Sequence, residues 1–461
     1  MLDAIQWDAD LIHRYDQAGP RYTSYPTAVQ FHGDIGPFDL LHALRDSRKG
    51  LRPLSLYVHV PFCAHICYYC ACNKVITKDR GRAQPYLQAL EHEIGIIGRH
   101  LDPRQRVEQL HLGGGTPTFL SHDELRQLMA RLRSHFQLLD DDSGDYSIEI
   151  DPREADWSTM GLLRELGFNR VSLGVQDLDP TVQRAINRLQ SLEETRAIVE
   201  AARTLQFRSL NIDLIYGLPL QTPAHFAQTV EEVIALQPDR LSLFNYAHLP
   251  ERFMPQRRIS AEDLPSPTHK LAMLQGSIEQ LSAAGYRYIG MDHFALPDDE
   301  LAMAQEDGSL QRNFQGYTTH GHCDLIGLGV SAISQIGDLY CQNGSDLGNY
   351  QSSLASGQLA TQRGLQCDVD DRLRRAVIQQ LICHFELAFA PIERAFAIDF
   401  HTYFAEAWTQ LQGMHRDGLI VLSPEAIRVR PGGRLLIRAL CMLFDRYLTP
   451  QQRPQRYSRI I

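Results

Sequence analysis

Between residues 54 and 245, six short runs rich in β-forming residues alternate with stretches of helical periodicity, and that alternation restricts the fold more than any other feature of the chain. The runs span 54–60, 109–112, 146–150, 170–175, 210–215 and 240–245. After the first, Tyr86, Leu87, Leu90, Ile94 and Ile97 recur at helical spacing, and further helical patterns fall near 121–136, 157–167, 192–206 and 222–236. Repetition of this kind builds a parallel sheet covered by its own crossovers. The expected fold class is therefore α/β, a full or partial parallel βα barrel of the TIM-like kind. In such a sheet the loops that leave the carboxyl ends of the strands open onto one face, where function collects.

The loop after the first run carries Cys63, Cys67 and Cys70, spaced C-x3-C-x2-C, with Cys72 two residues on. Three thiolates on one short loop can each hold one iron of a cubane cluster that normally takes four, which leaves the fourth iron open. A structural zinc site is the other metal reading; it needs four ligands, usually in two separated pairs, and Cys72 or His65 would have to complete it from the same loop. A disulfide framework fits poorly. Nine cysteines in 461 residues are sparse, and the segment that opens at Met1 shows no basic and apolar leader pattern, so a reducing, cytoplasmic setting is expected. The cysteines at 323, 341, 367, 383 and 441 stand singly and read as packing residues.

The other polar oddities fall at the same strand ends. Gly113, Gly114 and Gly115 follow the second run, Glu149 and Asp151 close the third, Gln176 and Asp177 follow the fourth, Asp213 lies on the fifth and Asn245 to His248 close the sixth. Singly these are turns and caps, and His59 or His111 reads as a satisfied core histidine. Jointly they suit a nucleoside-bearing ligand: glycines admit close backbone approach, and acids at strand ends accept hydrogen bonds from ribose hydroxyls.

The cysteine spacing with an aromatic before the third cysteine, followed by Gly113-Gly114-Gly115-Thr116-Pro117, resembles the radical S-adenosylmethionine superfamily. More narrowly, the chain resembles the bacterial oxygen-independent coproporphyrinogen III oxidases over nearly its whole length. The resemblance is carried by residues 19–27 (GPRYTSYPT), Cys72, 149–154 (EIDPRE), 174–177 (GVQD), 211–217 (NIDLIYG), 244–250 (FNYAHLP), 290–295 (GMDHFA) and 313–319 (NFQGYTT). It implies a barrel of the radical S-adenosylmethionine type with a [4Fe-4S] cluster on Cys63, Cys67 and Cys70, whose open iron chelates S-adenosylmethionine. It further implies that Tyr57, Gly114, Glu149 and Ile333 line this molecule. A second S-adenosylmethionine would meet Tyr69, Gly115, Thr116, Gln176, Arg188, Asp213 and Ala247. Relatives can carry Phe where this chain has Tyr69, and an aromatic face is kept. Cys72 would serve catalysis without ligating the cluster. The implied reaction opens with an electron that splits the sulfonium to give a 5'-deoxyadenosyl radical. That radical takes hydrogen from the β-carbon of a propionate, and loss of carbon dioxide and an electron leaves a vinyl group, twice, turning coproporphyrinogen III into protoporphyrinogen IX.

A haem chaperone is the alternative within the resemblance; its relatives typically have Phe in place of Cys72 and lack the 19–27 arm. The expected domains are an arm over 1–50, a barrel over 51–350 and a mostly helical part over 351–461, plausibly winged-helix-like with a hairpin near 418–430. Arg21, Tyr22 and Tyr25 of the arm either meet a tetracarboxylate macrocycle or pack the arm on the barrel. Eight arginines lie between 425 and 461 against Glu425 and Asp445, and are expected to pair with the acidic barrel or border the substrate. The net charge of −10 speaks against nucleic acid, and no apolar run approaches membrane-spanning length. The expected partners are coproporphyrinogen III and an electron donor such as a flavodoxin or ferredoxin, with the chain a monomer.

Overall fold

Leu54, Leu56, Val58 and Val60 alternate with Ser55, Tyr57 and His59, and all but Tyr57 are buried, as in a strand covered on both faces. In the computed structural model, which describes residues 5–448 and 459, this strand, β1 (Leu54–Val60), lies inside a sheet with β2 (Arg106–Gly114), β3 (Asp145–Ile150), β4 (Arg170–Gln176), β5 (Ser209–Tyr216) and β6 (Arg240–Asn245). Four later strands extend it: β7 (Asp324–Leu328), β8 (Ile333–Ile336), β9 (Leu339–Asn343) and β10 (Thr361–Gln366). The order is β6-β5-β4-β3-β2-β1-β7-β8-β9-β10, so neighbours in space are neighbours in sequence until β7 returns to the far side of β1. The pairs from β6 to β7 are parallel and the rest antiparallel. All six expected strands are present. The register sets Tyr57 against His111, His111 against Ser147, Glu149 against Ser172 and Gly174 against Asp213.

The crossover helices start where side chains satisfy the free amides of a first turn. Ser121 with Glu124 and Ser191 with Glu194 form capping boxes for α2 (His122–His135) and α4 (Leu192–Thr204). Asp156 and Thr222 cap α3 (Trp157–Glu165) and α5 (Pro223–Ala235). The first crossover, α1 (Ala83–Gly98), buries Tyr86, Leu87, Leu90, Ile94 and Ile97, the stripe expected of it, and Glu93 with them.

The backbone divides into two compact units at other places than residues 51 and 350. One comprises residues 31–273 and 322–366; the other comprises 1–30, 274–321 and 367–461. The second unit centres on α6 (Val369–His384) and holds a three-stranded antiparallel sheet of residues 386–388, 426–429 and 420–422, which includes the expected hairpin. Its core contains Tyr22 and Tyr25: the Tyr22 hydroxyl donates to Asp445 at 2.9 Å, and the Tyr25 hydroxyl accepts from the Arg446 amide at 3.1 Å. The two tyrosines are packing residues of the arm, while Arg21 stays partly exposed, 3.6 Å from Asp292.

Four of the carboxy-terminal arginines find partners close at hand rather than the acidic barrel that was expected to pair with them. Arg446 meets Asp368 and Asp370, Arg428 meets Glu386, Arg459 meets Asp16, and Arg438 donates to the Gly19 and Pro20 carbonyls, all inside this unit. The clustering of Asp368, Asp370 and Asp371 at the start of α6 supplies the local countercharge. Arg453 and Arg456 lie outside the described residues. No helix among the described residues is long and apolar enough to cross a membrane.

Candidate active site

Every residue singled out for the cluster and the cofactor lies in the larger unit: Tyr57 and Asp213 within β1 and β5, Ile333 at the start of β8, and the others at or beyond the carboxyl ends of the strands. The cysteine loop leaves β1 and is fastened along its length. Val75 N–H donates to Pro61 O at 2.7 Å, Thr77 N–H to Cys63 O at 3.0 Å and Tyr68 N–H to Ile186 O at 2.9 Å, while Asn187 Nδ2 donates to Ile66 O at 2.7 Å. Cys67 is buried, Cys63 and Cys70 are half-buried and Cys72 is exposed. The Thr116 hydroxyl donates to Cys63 Sγ at 3.5 Å, and Lys74 Nζ to the Cys70 carbonyl at 2.9 Å.

The glycines at the end of β2 are required by their neighbours. Gly114 has φ +113°, and a Cβ there would fall 2.6 Å from the His59 ring. A Cβ on Gly115 would fall 2.7 Å from the Phe62 carbonyl oxygen, the backbone just before Cys63, so this glycine lets β2 run against the root of the cysteine loop. Gly114 N–H donates to Glu149 Oε2 at 3.1 Å, and His111 Nε2 stands 3.3 Å from Glu149 Oε1. Burial opposes the charge on Glu149, but the hydrogen bond and charge of His111 together with the Gly114 amide more than offset it, and the carboxyl sits below its ordinary value. Tyr57 stacks on His111, with centroids 5.8 Å apart, and shares a 3.0 Å hydrogen bond with His59 Nδ1; His59 Nε2 lies 2.9 Å from Asn73 O. The two histidines are satisfied residues, as expected, and they tie the first three strand ends together.

Asp213 differs from Glu149. Burial pushes its carboxyl up to about 6, against hydrogen bonds from Ser242, Asn211 and Ser172. Gln176 is buried with φ +70° at a bulge between β4 and β5, the kind of unfavourable backbone that concentrates at functional sites. Asp177 is not part of this face. It is buried among Gln221, Thr229 and the Asp179 amide and serves as a structural cap. Tyr69 packs against an apolar group of Val182, Ile186, Ile215, Leu218, Tyr246 and Ile259. Gln256 Nε2 ties the Tyr69 carbonyl to that of Ala247, at 3.0 and 3.2 Å. Ile333 opens β8, half-buried.

Arg188 is buried, donating to Asp151 Oδ2 at 2.9 Å and to the Gly174 carbonyl. Burial opposes the charge of Asp151, yet Arg188 and Arg153 hold its carboxyl down to about 2. Arg153 is the residue of this site that the sequence did not single out, and Asp151, grouped there with the strand-end acids, instead accepts from two guanidiniums.

Comparison with known proteins now bears on this geometry. The radical SAM superfamily pattern matches residues 57–233, and the HemN C-terminal domain pattern matches residues 367–436. Over the whole of both chains, the sequence is 75% identical to the oxygen-independent coproporphyrinogen III oxidase of Pseudomonas aeruginosa and 51% identical to that of Escherichia coli. The chain belongs to the oxygen-independent coproporphyrinogen III oxidase family. The solved structure of coproporphyrinogen III oxidase from Escherichia coli, described as a radical SAM enzyme, superposes with a TM-score of 0.92 over 97% of this chain and all of that one, at 50% identity.

Family membership implies a [4Fe-4S] cluster and S-adenosylmethionine, and the donor set fits them. Three thiolates on one short loop, Cys67 buried and Cys63 and Cys70 half-buried, match three corners of a cubane whose fourth iron is left to a small molecule. Arg188 Nε is buried with no protein partner among the described residues, a donor left over for a polar ligand.

Proposed function

We infer that the chain converts coproporphyrinogen III to protoporphyrinogen IX without oxygen, by oxidative decarboxylation of two propionates to vinyl groups. The observation that carries this reading is the three-cysteine loop in a chain alignable end to end with oxygen-independent coproporphyrinogen III oxidases. When bound, the cluster and S-adenosylmethionine supply the one-electron cleavage of a sulfonium that drives hydrogen abstraction from the propionate.

The protein's part is to place and to enclose. Cys63, Cys67 and Cys70 hold the cluster. Tyr57, Gly114, Glu149 and Ile333 line the first S-adenosylmethionine: the ionised Glu149 accepts hydrogen bonds, and Gly114 gives backbone access. Tyr69, Gly115, Thr116, Gln176, Arg188, Asp213 and Ala247 line a second molecule, where the spare Arg188 Nε offers a charge-assisted donor to a carboxylate. Exposed Cys72 serves turnover and not iron binding. The chain works in the cytoplasm as a monomer and takes electrons from a flavodoxin- or ferredoxin-like donor.

Anaerobic incubation of the iron-loaded protein with coproporphyrinogen III, S-adenosylmethionine and a reductant, followed by mass spectrometry, tests the reading. The expected product has lost two carbon dioxides and four hydrogen atoms; recovery of unchanged substrate from iron-replete protein refutes it. Cys72→Ser keeps the wild-type iron content while turnover falls by roughly tenfold or more, the equivalent of about 1.4 kcal/mol of lost transition-state stabilisation. A Cys72→Ser protein depleted of iron moves Cys72 into the ligand set.

A further inference from the structure

Of the three cysteine sulfurs, Cys67 alone is faced by two guanidinium groups. Arg188 Nη1 lies 3.5 Å from Cys67 Sγ and Arg153 Nη2 lies 3.6 Å from the same atom. The same two nitrogens converge on Asp151 Oδ2, at 2.9 and 2.7 Å, and Arg153 Nε adds a 3.0 Å bond to Asp151 Oδ1. Exposure of the three side chains is 6% for Arg188, 10% for Asp151 and 12% for Arg153, so solvent screens the group weakly. Two positive charges and one negative leave a net positive charge held against one sulfur. Cys63 Sγ, by contrast, receives a neutral hydroxyl from Thr116.

Hydrogen bonds to the ligand sulfurs and nearby charge are the levers by which a protein sets the potential of an iron–sulfur cluster. Reduction adds an electron, and donors aimed at a ligand sulfur stabilise the reduced form more than the oxidised one. We propose that Arg153 and Arg188, clamped by Asp151, donate to the Cys67 sulfur and raise the reduction potential of the cluster, easing its one-electron reduction by the donor protein. The proposal rests on the reading of Cys63, Cys67 and Cys70 as cluster ligands. Arg153 is here a positioning and tuning residue, not one that touches substrate. Asp151 has the further part of fixing both guanidiniums: its own carboxylate would lower the potential, and it does so less than the two arginines raise it.

The test is a redox titration of the full-length, iron-loaded protein, with the reduced cluster followed by electron paramagnetic resonance and iron counted on the same samples. Arg153→Met keeps an unbranched apolar stem and loses both the charge and the donors. Its iron content is expected to match the wild type, while its one-electron equilibrium shifts about tenfold against the reduced cluster, a fall of about 59 mV in midpoint. Arg153→Lys, which keeps the charge, falls by less. An iron-replete Arg153→Met protein with the wild-type midpoint overturns the proposal. So does loss of iron from both Arg153 variants, which would make the residue a brace for the loop and nothing more. A wild-type protein that takes up no cluster would instead refute the ligand assignment beneath it.

Discussion

Cys67→Ala is expected to leave a folded chain that retains almost none of the roughly four irons of a cubane cluster, and therefore no turnover. Each of the three sulfurs holds one corner, and with the open corner given to a small molecule there is no spare protein ligand to share the load. Cys67 is the cleanest of the three positions. It is buried, and its Sγ is surrounded by Arg153 and Arg188, so no other thiol stands ready to replace it. Cys63→Ala behaves the same way. Cys70→Ala differs in one respect, because Cys72 stands two residues on and is exposed. The Cys70→Ala protein is expected to lose its cluster as well, and any residual iron should vanish in the Cys70→Ala, Cys72→Ala double variant. Iron and acid-labile sulfide analysis after anaerobic reconstitution, with circular dichroism to establish folding, reads all of these. Wild-type iron in Cys67→Ala would remove that residue from the ligand set and with it the three-cysteine reading.

The sheet from β1 to β6 was legible because each strand and crossover carries its own period. The cluster loop was legible because ligand spacing is local. What escaped was non-local. Strands β7 to β10 complete the sheet on the far side of β1, and the pairing of Leu54 with Asp324 has no signature in either segment alone. The grouping of residues 1–30 with 274–321 and 367–461 was hidden for the same reason: Tyr22 and Tyr25 look like ligand-facing aromatics until the core that contains them is assembled. Arg153 follows Pro152 in a short turn, and nothing in the order of residues says that its guanidinium reaches back to Cys67. Glu93 left a trace, since a carboxylate on the stripe formed by Leu90, Ile94 and Ile97 breaks the apolar pattern and so demands a partner.

That demand is met by Gly329 before β8, Asn343 at the end of β9 and Tyr350 beyond it, and removal of the carboxylate is the second large effect expected. Glu93 is 1% exposed; its Oε2 accepts from Gly329 N–H at 2.7 Å and from the Tyr350 hydroxyl at 2.7 Å, and its Oε1 accepts from Asn343 Nδ2 at 2.6 Å. Two turns earlier on α1, the Tyr86 hydroxyl donates to the His59 carbonyl and accepts from Val330 N–H at 3.2 Å. One helix therefore holds both the end of β1 and residues 329–330, just before Ile333. Glu93→Ala strips the acceptor from three buried donors. At about 1–3 kcal/mol for each buried group left unpaired, and with Asn343 keeping its second bond to Gly329 O, the loss is expected to be about 3 kcal/mol or more. Calorimetry should show a melting transition lower by several degrees. Glu93→Gln, which keeps one acceptor oxygen, should lie between that variant and the wild type. Burial raises the Glu93 carboxyl above its ordinary value against the three hydrogen bonds that lower it, so relative to the unfolded chain the fold favours the protonated form. Its contribution is thus fully present below the ordinary carboxylate range and shrinks as pH rises through the raised value, and the gap in melting temperature between wild type and Glu93→Ala should narrow over that interval. Because residues 329–333 lead to a proposed cofactor contact, KM for S-adenosylmethionine should rise more than kcat falls. A Glu93→Ala protein that melts with the wild type would show that water replaces the carboxylate without cost and that α1 does not set the position of this loop.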